Sequence, residues 1–362
     1  MIEIKFFKPE QFDEIKAEWE ELQTGKDMTV FQQRVWYDGL NRQYLAGCFK
    51  SSEKAVYAVA YRDGAAAMIA PVHVKKHGFE YKGIGSDSGA YIIGRWGFTD
   101  YLNFIYRDFD PECFEELVAQ IRTKFKVKKF HFDFIRRSTA MDDYLLEKYG
   151  DNKISETICV QTLPHDSFEE FHKTMTKYSR QNIRKAFNRE NKTGTEIHIS
   201  EFGTVSEEDA REFFSIYVDR SGRKNELDIK KDGLKNTILK YFNKKYNDEL
   251  KNGLKKFNYI IYNMVNNPDS YMIGIFHGEQ KIGFIYGIME GKNIWRNIIV
   301  CFDEEYKYFT PGRTAYFRYF RDILYADGKG TDMITDMSRG TERHKYELGG
   351  TEHYLDNFLV RP

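Results

Sequence analysis

The stretch Tyr308-Phe309-Thr310-Pro311-Gly312-Arg313-Thr314 packs two threonine hydroxyls, a glycine and an arginine around one proline. Proline is tolerated in the first turn of a helix, where its missing N–H would have had no partner, so the stretch reads as a helix start. Free N–H groups and a partial positive charge at such a start attract an anion. Thr310, Pro311, Gly312, Arg313 and Thr314 are therefore the candidate contacts for a pyrophosphate. The matching stretch of the first half, Arg107-Asp108-Phe109-Asp110-Pro111-Glu112, is acidic, lacks glycine and repels one. A phosphorylated cofactor bound by one half of the chain belongs to the second.

A run with anion chemistry of another kind lies between these two. Residues 168–191 read as one long helix, capped by Asp166-Ser167 and stopped by Gly194. Lys173, Lys177, Arg180, Arg184, Lys185, Arg189 and Lys192 recur along it at spacings of three and four, which places most of them on one side. The stripe is either a solvated helix face or a contact for the 3′-phosphate of a coenzyme or an acidic acceptor. Arg180 and Arg184 are the substrate contacts on the second reading.

The elements that must position these residues can be read twice, about 200 residues apart. Residues 55–60 and 65–74 are apolar runs around Arg62-Asp63-Gly64, a hairpin signal; a strand-like run follows at 101–106. Pro111 opens a helix with Phe114, Leu117, Val118 and Ile121 on one face, and residues 130–135 form the next strand. The second half repeats the order: a hairpin of 271–276 and 281–289, a strand at 293–302, a helix from Pro311, and a strand at 331–337. Trp96 matches Trp295, Pro111 matches Pro311, and Asp133 with Arg136 matches Asp336 with Arg339. The reading predicts an α/β fold of two tandem mixed-sheet domains, 1–160 without a phosphate loop and 161–362 with the cofactor site. Helices expected over 207–220 and 234–245 cover the sheet.

Composition agrees with two cores, since 362 residues exceed what one usually holds. Lys+Arg and Asp+Glu total 55 each, so the formal net charge is zero and no whole-molecule field draws in DNA. The opening MIEIKFFKPEQF lacks the pattern of a signal peptide, and the longest apolar runs fall short of the roughly 20 residues that span a bilayer, which predicts a cytoplasmic protein. Cys48, Cys113, Cys159 and Cys301 lie far apart, at no metal-ligand spacing, and read as buried small hydrophobes of a reducing compartment; no metal is expected. Walker A, a GxGxxG after a strand, GxSxG and HExxH patterns do not occur, which argues against nucleotide triphosphate, dinucleotide, serine hydrolase and zinc protease chemistry.

Several short motifs occur in a telling order: Phe31-Gln32-Gln33-Arg34-Val35-Trp36, Leu163-Pro164, Lys177-Tyr178-Ser179-Arg180-Gln181-Asn182-Ile183-Arg184, Asp303-Glu304-Glu305-Tyr306, Thr310-Pro311-Gly312, and Asp336-Met337-Ser338-Arg339-Gly340-Thr341-Glu342-Arg343-His344-Lys345. Their order resembles the CelD-like double-GNAT acetyltransferase family, related to the Fem-type peptidoglycan aminoacyltransferases. The resemblance implies two tandem GNAT domains, acetyl-CoA or another acyl-CoA as co-substrate, and an amine or hydroxyl acceptor on a small molecule or sugar, often in cell-envelope or polysaccharide metabolism. The Fem relatives imply an alternative in which aminoacyl-tRNA is the donor and the basic helix contacts RNA. A third possibility is a degenerate GNAT pair that only binds.

Thioester aminolysis needs a neutral amine, a donor toward the developing oxyanion and an acid for the thiolate. Asp336 and Glu342 flank a strand end and are the candidate bases; otherwise Asp336 caps the next helix and Glu342 is a first-turn carboxylate. Tyr306, with Tyr308 behind it, is the candidate acid, or a packing residue. His344 has an intrinsic pKa suited to proton transfer. Lys345, matched by the family lysine, holds an acceptor carboxylate or phosphate, or is a last-turn cation. Trp295 and Arg296 either contact the acceptor or form a cation–π pair.

Overall fold

The computed structural model describes residues 1–45, 53–75, 79–81, 84–86, 88–95, 97–230 and 258–361. Cys48, Trp96 and the helix expected over 234–245 lie outside the described residues. The chain forms two compact units, one of Met1–Ile158 with Tyr354–Pro362, the other of Cys159–His353.

The first unit holds strands β1 (Ile2–Phe7), β2 (Glu53–Arg62), β3 (Ala65–Lys75), β4 (Phe79–Tyr81), β5 (Ile84–Ser86), β6 (Gly89–Ile92) and β7 (Phe130–Arg136), and the start of β8 (Lys153–Thr162). Its helices are α1 (Lys16–Leu22), α2 (Arg34–Leu45), α3 (Pro111–Phe125) and α4 (Ala140–Tyr149). The second unit takes the end of β8, then α5 (Phe168–Thr174), α6 (Lys177–Thr193), β9 (Ile197–Phe202), α7 (Glu207–Lys230) and α8 (Asn258–Asn266). It continues with β10 (Ser270–His277), β11 (Gln280–Glu290), β12 (Ile294–Phe302), α9 (Pro311–Arg318), β13 (Ile334–Arg339) and α10 (Arg343–Glu347). The last strand, β14 (Thr351–Val360), belongs to the first unit from Tyr354 onward. The division between the units, Ile158/Cys159, falls within β8, and β14 pairs with β7 in the first unit.

In the first unit the strand order is β1-β2-β3-β6-β7-β14; in the second it is β8-β13-β12-β11-β10-β9. Each sheet is mixed: β6 and β7 run parallel, as do β12 and β13, while the hairpins and the outer strands pair antiparallel. The repeated order of hairpin, strand, helix and strand is present in each unit, except that in the first the strand before the helix is β6 and not residues 101–106. The first hairpin turns on Asp63 and Gly64 at φ 50° and 87°, the positive values that a two-residue turn between twisted strands requires. In α3, Asp110 accepts from the N–H groups of Glu112 and Cys113 at 3.0 and 3.1 Å, and Phe114, Leu117, Val118 and Ile121 are buried as expected. Aromatic rings fill both cores, with Phe104, Phe114 and Phe132 clustered in the first unit and Tyr271, Trp295 and Tyr319 in the second. Cys113, Cys159 and Cys301 are buried.

Two expected elements differ. Residues 168–191 are not one helix: Met175 is extended at ψ 141°, and Thr176 accepts from the Ser179 N–H at 3.1 Å, so a new helix is capped where the first ends. Residues 101–106 pair only through the bridge Ile69–Ile105, because Tyr101 is left-handed at φ 54° and its carbonyl accepts from the Gln32 amide at 2.7 Å. A side chain there replaces a neighbouring strand.

Candidate functional site

Parallel pairing between β12 and β13 covers Ile294↔Ile334, Trp295↔Thr335 and Arg296↔Asp336, and then stops. Beyond that point β12 keeps its partner on the other side, β11, as far as Phe302, while its pairing with β13 does not continue; this parting of the two strands is the candidate crevice. Ile298 has no opposite residue on β11, where Ile299 faces Tyr286 and Asn297 faces Gly287. This bulge adds one residue and resets which side chains meet α9. Before it, Trp295 packs on Tyr319 at 4.7 Å, and Asn297 accepts from the Tyr316 hydroxyl at 2.6 Å. After it, Val300 and Phe302 lie against Gly312.

At the far end of β12 a 3₁₀ turn, Glu304–Phe309, leads into α9. Thr310 is left-handed at φ 48°, and its carbonyl accepts from the N–H groups of both Arg313 and Thr314. Pro311 has no N–H, and the Gly312 N–H and the buried Thr310 hydroxyl make no hydrogen bond among the described residues. A Cβ on Gly312 would come within 3.2 Å of the Phe302 ring. Thr314 is buried and its hydroxyl donates to the Pro311 carbonyl at 3.3 Å. Arg313 is ion-paired with buried Glu347. The five expected phosphate contacts therefore share one junction, with one free amide and one free hydroxyl, and the arginine already holds a partner.

The expected proton-transfer residues scatter. Asp336 is buried; one of its oxygens accepts from Arg296 at 2.6 Å and the other from the Ser338 N–H at 2.8 Å. Arg296 is buried too, and Glu290 grips its other side with two bonds of 2.6 Å. Neither Asp336 nor Arg296 faces the crevice with a spare atom; they lock the point where the strands part. Trp295 is likewise fully buried, packed between Tyr271 and Tyr319 rather than paired with a cation. Tyr306 is part-exposed and bonds His277 at 3.0 Å and Gln280 at 3.1 Å; burial, with the charges of Asp303 and Glu305, raises its pKa and keeps it protonated.

Around α10, Glu342 is half-exposed and pairs with Lys345 at 3.0 Å. Burial works against its ionisation, but the Lys345 hydrogen bond and charge hold the carboxyl below its usual range. Lys345 is 6% exposed, and its ammonium donates to the carbonyls of Ser338, Arg339 and Gly340 at 3.1, 2.6 and 3.3 Å. It is the third residue of a helix of 5 residues and so belongs to its last turn, as the sequence reading has it, as well as to its first. His344 is held below its usual pKa by burial.

The basic stripe also divides. Arg180 turns back to cap α5, donating to the carbonyls of His172, Lys173 and Met175, whereas Arg184 and Lys185 are exposed. Two tyrosines to which the motifs assign no binding role complete this face. Tyr178 is 50% exposed with Arg343 4.8 Å from its ring, and Tyr308 is 56% exposed with Arg189 at 4.3 Å. Arg189 also donates to the Tyr308 carbonyl at 2.6 Å, which fixes the ring beside the α9 junction. Tyr178 beside Lys177 and Arg180, and Tyr308 at the start of the 308–314 stretch, were the available signals.

No family model matches the chain, and no curated protein matches its sequence. Among solved structures, a tandem GNAT protein from the clavulanic acid biosynthesis pathway, crystallised without acetyl-CoA, is similar over 100% of this chain and 98% of its own, at 9% identity and a TM-score of 0.50. A conserved protein of unknown function from Bacteroides thetaiotaomicron VPI-5482 matches at 12% identity and TM-score 0.48, over 99% of each chain. FemX matches at 13% and 0.46, over 99% of this chain and 97% of its own. The first of these likenesses shows the fold: a mixed α/β chain in the tandem GNAT arrangement. Among the described residues, no helix is long and apolar enough to cross a membrane.

Proposed function

We propose that the chain transfers an acyl group from acetyl-CoA or another acyl-CoA to an amine or hydroxyl of a small-molecule or sugar acceptor, in the crevice of the second unit. Within the fold we place it with the CelD-like proteins, on the order of its motifs. The observation that carries the reading is the parting of β12 from β13 at Arg296/Asp336, next to a bulged strand that ends at a helix start with a free amide and hydroxyl. The first unit lacks this combination, because Asp110 occupies its helix start and Arg62 pairs with that carboxylate.

Thr310, the Gly312 N–H and Arg313 would hold the pyrophosphate, and the exposed edge of β12 would run beside the pantetheine arm. When bound, the thioester supplies an activated acyl carbonyl and a thiol leaving group. Glu342 is the ionised carboxylate with solvent access and is the candidate base; Tyr306 is the protonated hydroxyl and the candidate acid. Asp336, Arg296 and Trp295 set the geometry that these residues work in. Titration of the full chain with acetyl-CoA by calorimetry tests the reading, beside Gly312→Asp and Gly312→Ala. Binding that survives alanine and is lost with aspartate supports it. No binding to acetyl-CoA or longer acyl-CoAs by the folded protein sinks it.

One observation favours a second reading. Two arginine-braced, exposed tyrosines at either end of α6, with Arg184 and Lys185 exposed between them, combine stacking surfaces with charge as single-stranded RNA requires. An aminoacyl-tRNA donor would bind with a steep salt dependence, which acyl-CoA binding at one junction would not match.

A further inference from the structure

We infer that Lys345 is a positioning residue: its ammonium is a built-in cation that folds the turn after β13 and thereby sets the edge of the crevice. A buried ammonium is costly unless its three N–H groups find acceptors. Lys345 meets that cost with the carbonyls of Ser338, Arg339 and Gly340 and the Glu342 carboxylate at 3.0 Å. Three successive carbonyls turned toward one point would repel one another without that charge. The acceptors also saturate the ammonium, which leaves no proton for an acceptor carboxylate or phosphate.

The turn that it gathers is unusual backbone. Ser338 is left-handed at φ 60°, a conformation that an L residue keeps only when its surroundings impose it, and Gly340 stands at φ 110°. Three contacts hold Ser338: its N–H donates to Asp336 at 2.8 Å, its hydroxyl donates to the Asn297 carbonyl, and its carbonyl accepts from Lys345. Asn297 is the last β12 residue before the bulge at Ile298. Lys345 is thus connected through one serine to the strand edge that the proposed donor would occupy, and only this consequence rests on the acyl-transfer reading.

Hydrogen exchange on the ligand-free full chain tests the cage itself. In Lys345→Ala the Ser338 amide should exchange at least tenfold faster while the β10–β11 hairpin is unchanged. Methylammonium should restore protection, and tetramethylammonium, which has no N–H, should not. Lys345→Met, of similar length, is read in the same way should the alanine variant fail to fold. Unchanged exchange in either variant, or equal rescue by both cations, overturns the proposal. So does weaker acetyl-CoA binding in a variant whose ligand-free exchange matches the wild type, since Lys345 would then touch the ligand. A wild type that binds no acyl-CoA removes the acyl-transfer reading and leaves the exchange result standing.

Discussion

Asp142 and Lys345 occupy the same place in the two units. Each is the third residue of the helix that follows the inner strand, three after the cap residue, Thr139 in one and Glu342 in the other. Each is buried against the turn that its helix leaves. Asp142 accepts from the Ser138 N–H at 3.2 Å, whereas Lys345 donates to the carbonyls of Ser338, Arg339 and Gly340. One scaffold therefore carries opposite charges at one position, reading the donors of the turn in the first unit and its acceptors in the second. The strand-to-helix junctions invert in the same way, with Asp110 capping α3 and a free amide and hydroxyl opening α9. What both units keep is an arginine bound to an aspartate beside the parallel strand pair, Arg95 with Asp133 and Arg296 with Asp336. The comparison teaches that the ion pair belongs to the architecture, and that the differences fall on the loops where a ligand would lie.

The largest test removes the premise that the units are equal copies. Ending the chain before Tyr354 deprives β7 of its β14 partner and Arg137 and Lys153 of the Asp356 carboxylate. Loss of buried Leu355, Phe358 and Val360 alone costs on the order of 5 kcal/mol, so the first unit should become protease-sensitive while the second keeps its melting transition. Simultaneous loss of both would mean that the units fold as one. Next, Arg296→Met takes the Arg296 cation from buried Asp336 and part-buried Glu290 and should cost about 3–5 kcal/mol by denaturant melts. Arg95→Met should cost less, because Arg95 is 17% exposed against 6% for Arg296.

Periodicity and turn chemistry made much of this fold legible. Asp63-Gly64, Pro111 and Pro311, and the buried face of α3 all stand where the sequence placed them. Burial was not legible at single polar residues. Asp336 at a strand end looks the same in sequence whether it faces a substrate or an arginine on the next strand, and Arg296, which bonds it and Glu290 together, is distant from it in the chain. Lys345 reads as a last-turn cation, which it is, but no local pattern tells that its ammonium is buried against the carbonyls of Ser338, Arg339 and Gly340. The break at Thr176 was hidden because the basic stripe continues across it with helical spacing. The return of β14 to the first unit depends on pairing that no local pattern encodes.

The inverted slots should also respond to acid in opposite directions. Burial, with the Asp356 charge adding to it, pushes Asp142 up to about 6, and one of its oxygens has no hydrogen-bond partner. Its folded pKa lies above the unfolded value of roughly 3.9, so its contribution is fully present below about pH 4 and is lost as pH rises through about 6. Asp142→Asn keeps an acceptor for Ser138 and should raise stability at pH 8 by on the order of 1–2 kcal/mol, with little change at pH 4. An equal effect at both values would deny the shift.

Glu342 carries the smallest effect and the opposite sign. Lys345 holds its carboxyl below the usual range, so its contribution is present above the unfolded value of about 4.3 and is lost as pH falls through the folded one. Because the side chain is half-exposed, Glu342→Gln should cost no more than about 1 kcal/mol at neutral pH. Site-resolved hydrogen exchange between pH 7 and pH 4, corrected for intrinsic rates, reads both slots at once. Protection should rise in the turn before α4 and fall in the turn before α10, and Glu342→Gln should abolish only the second change. Movement of both turns in one direction would mean that the charges at the two slots do not govern their turns.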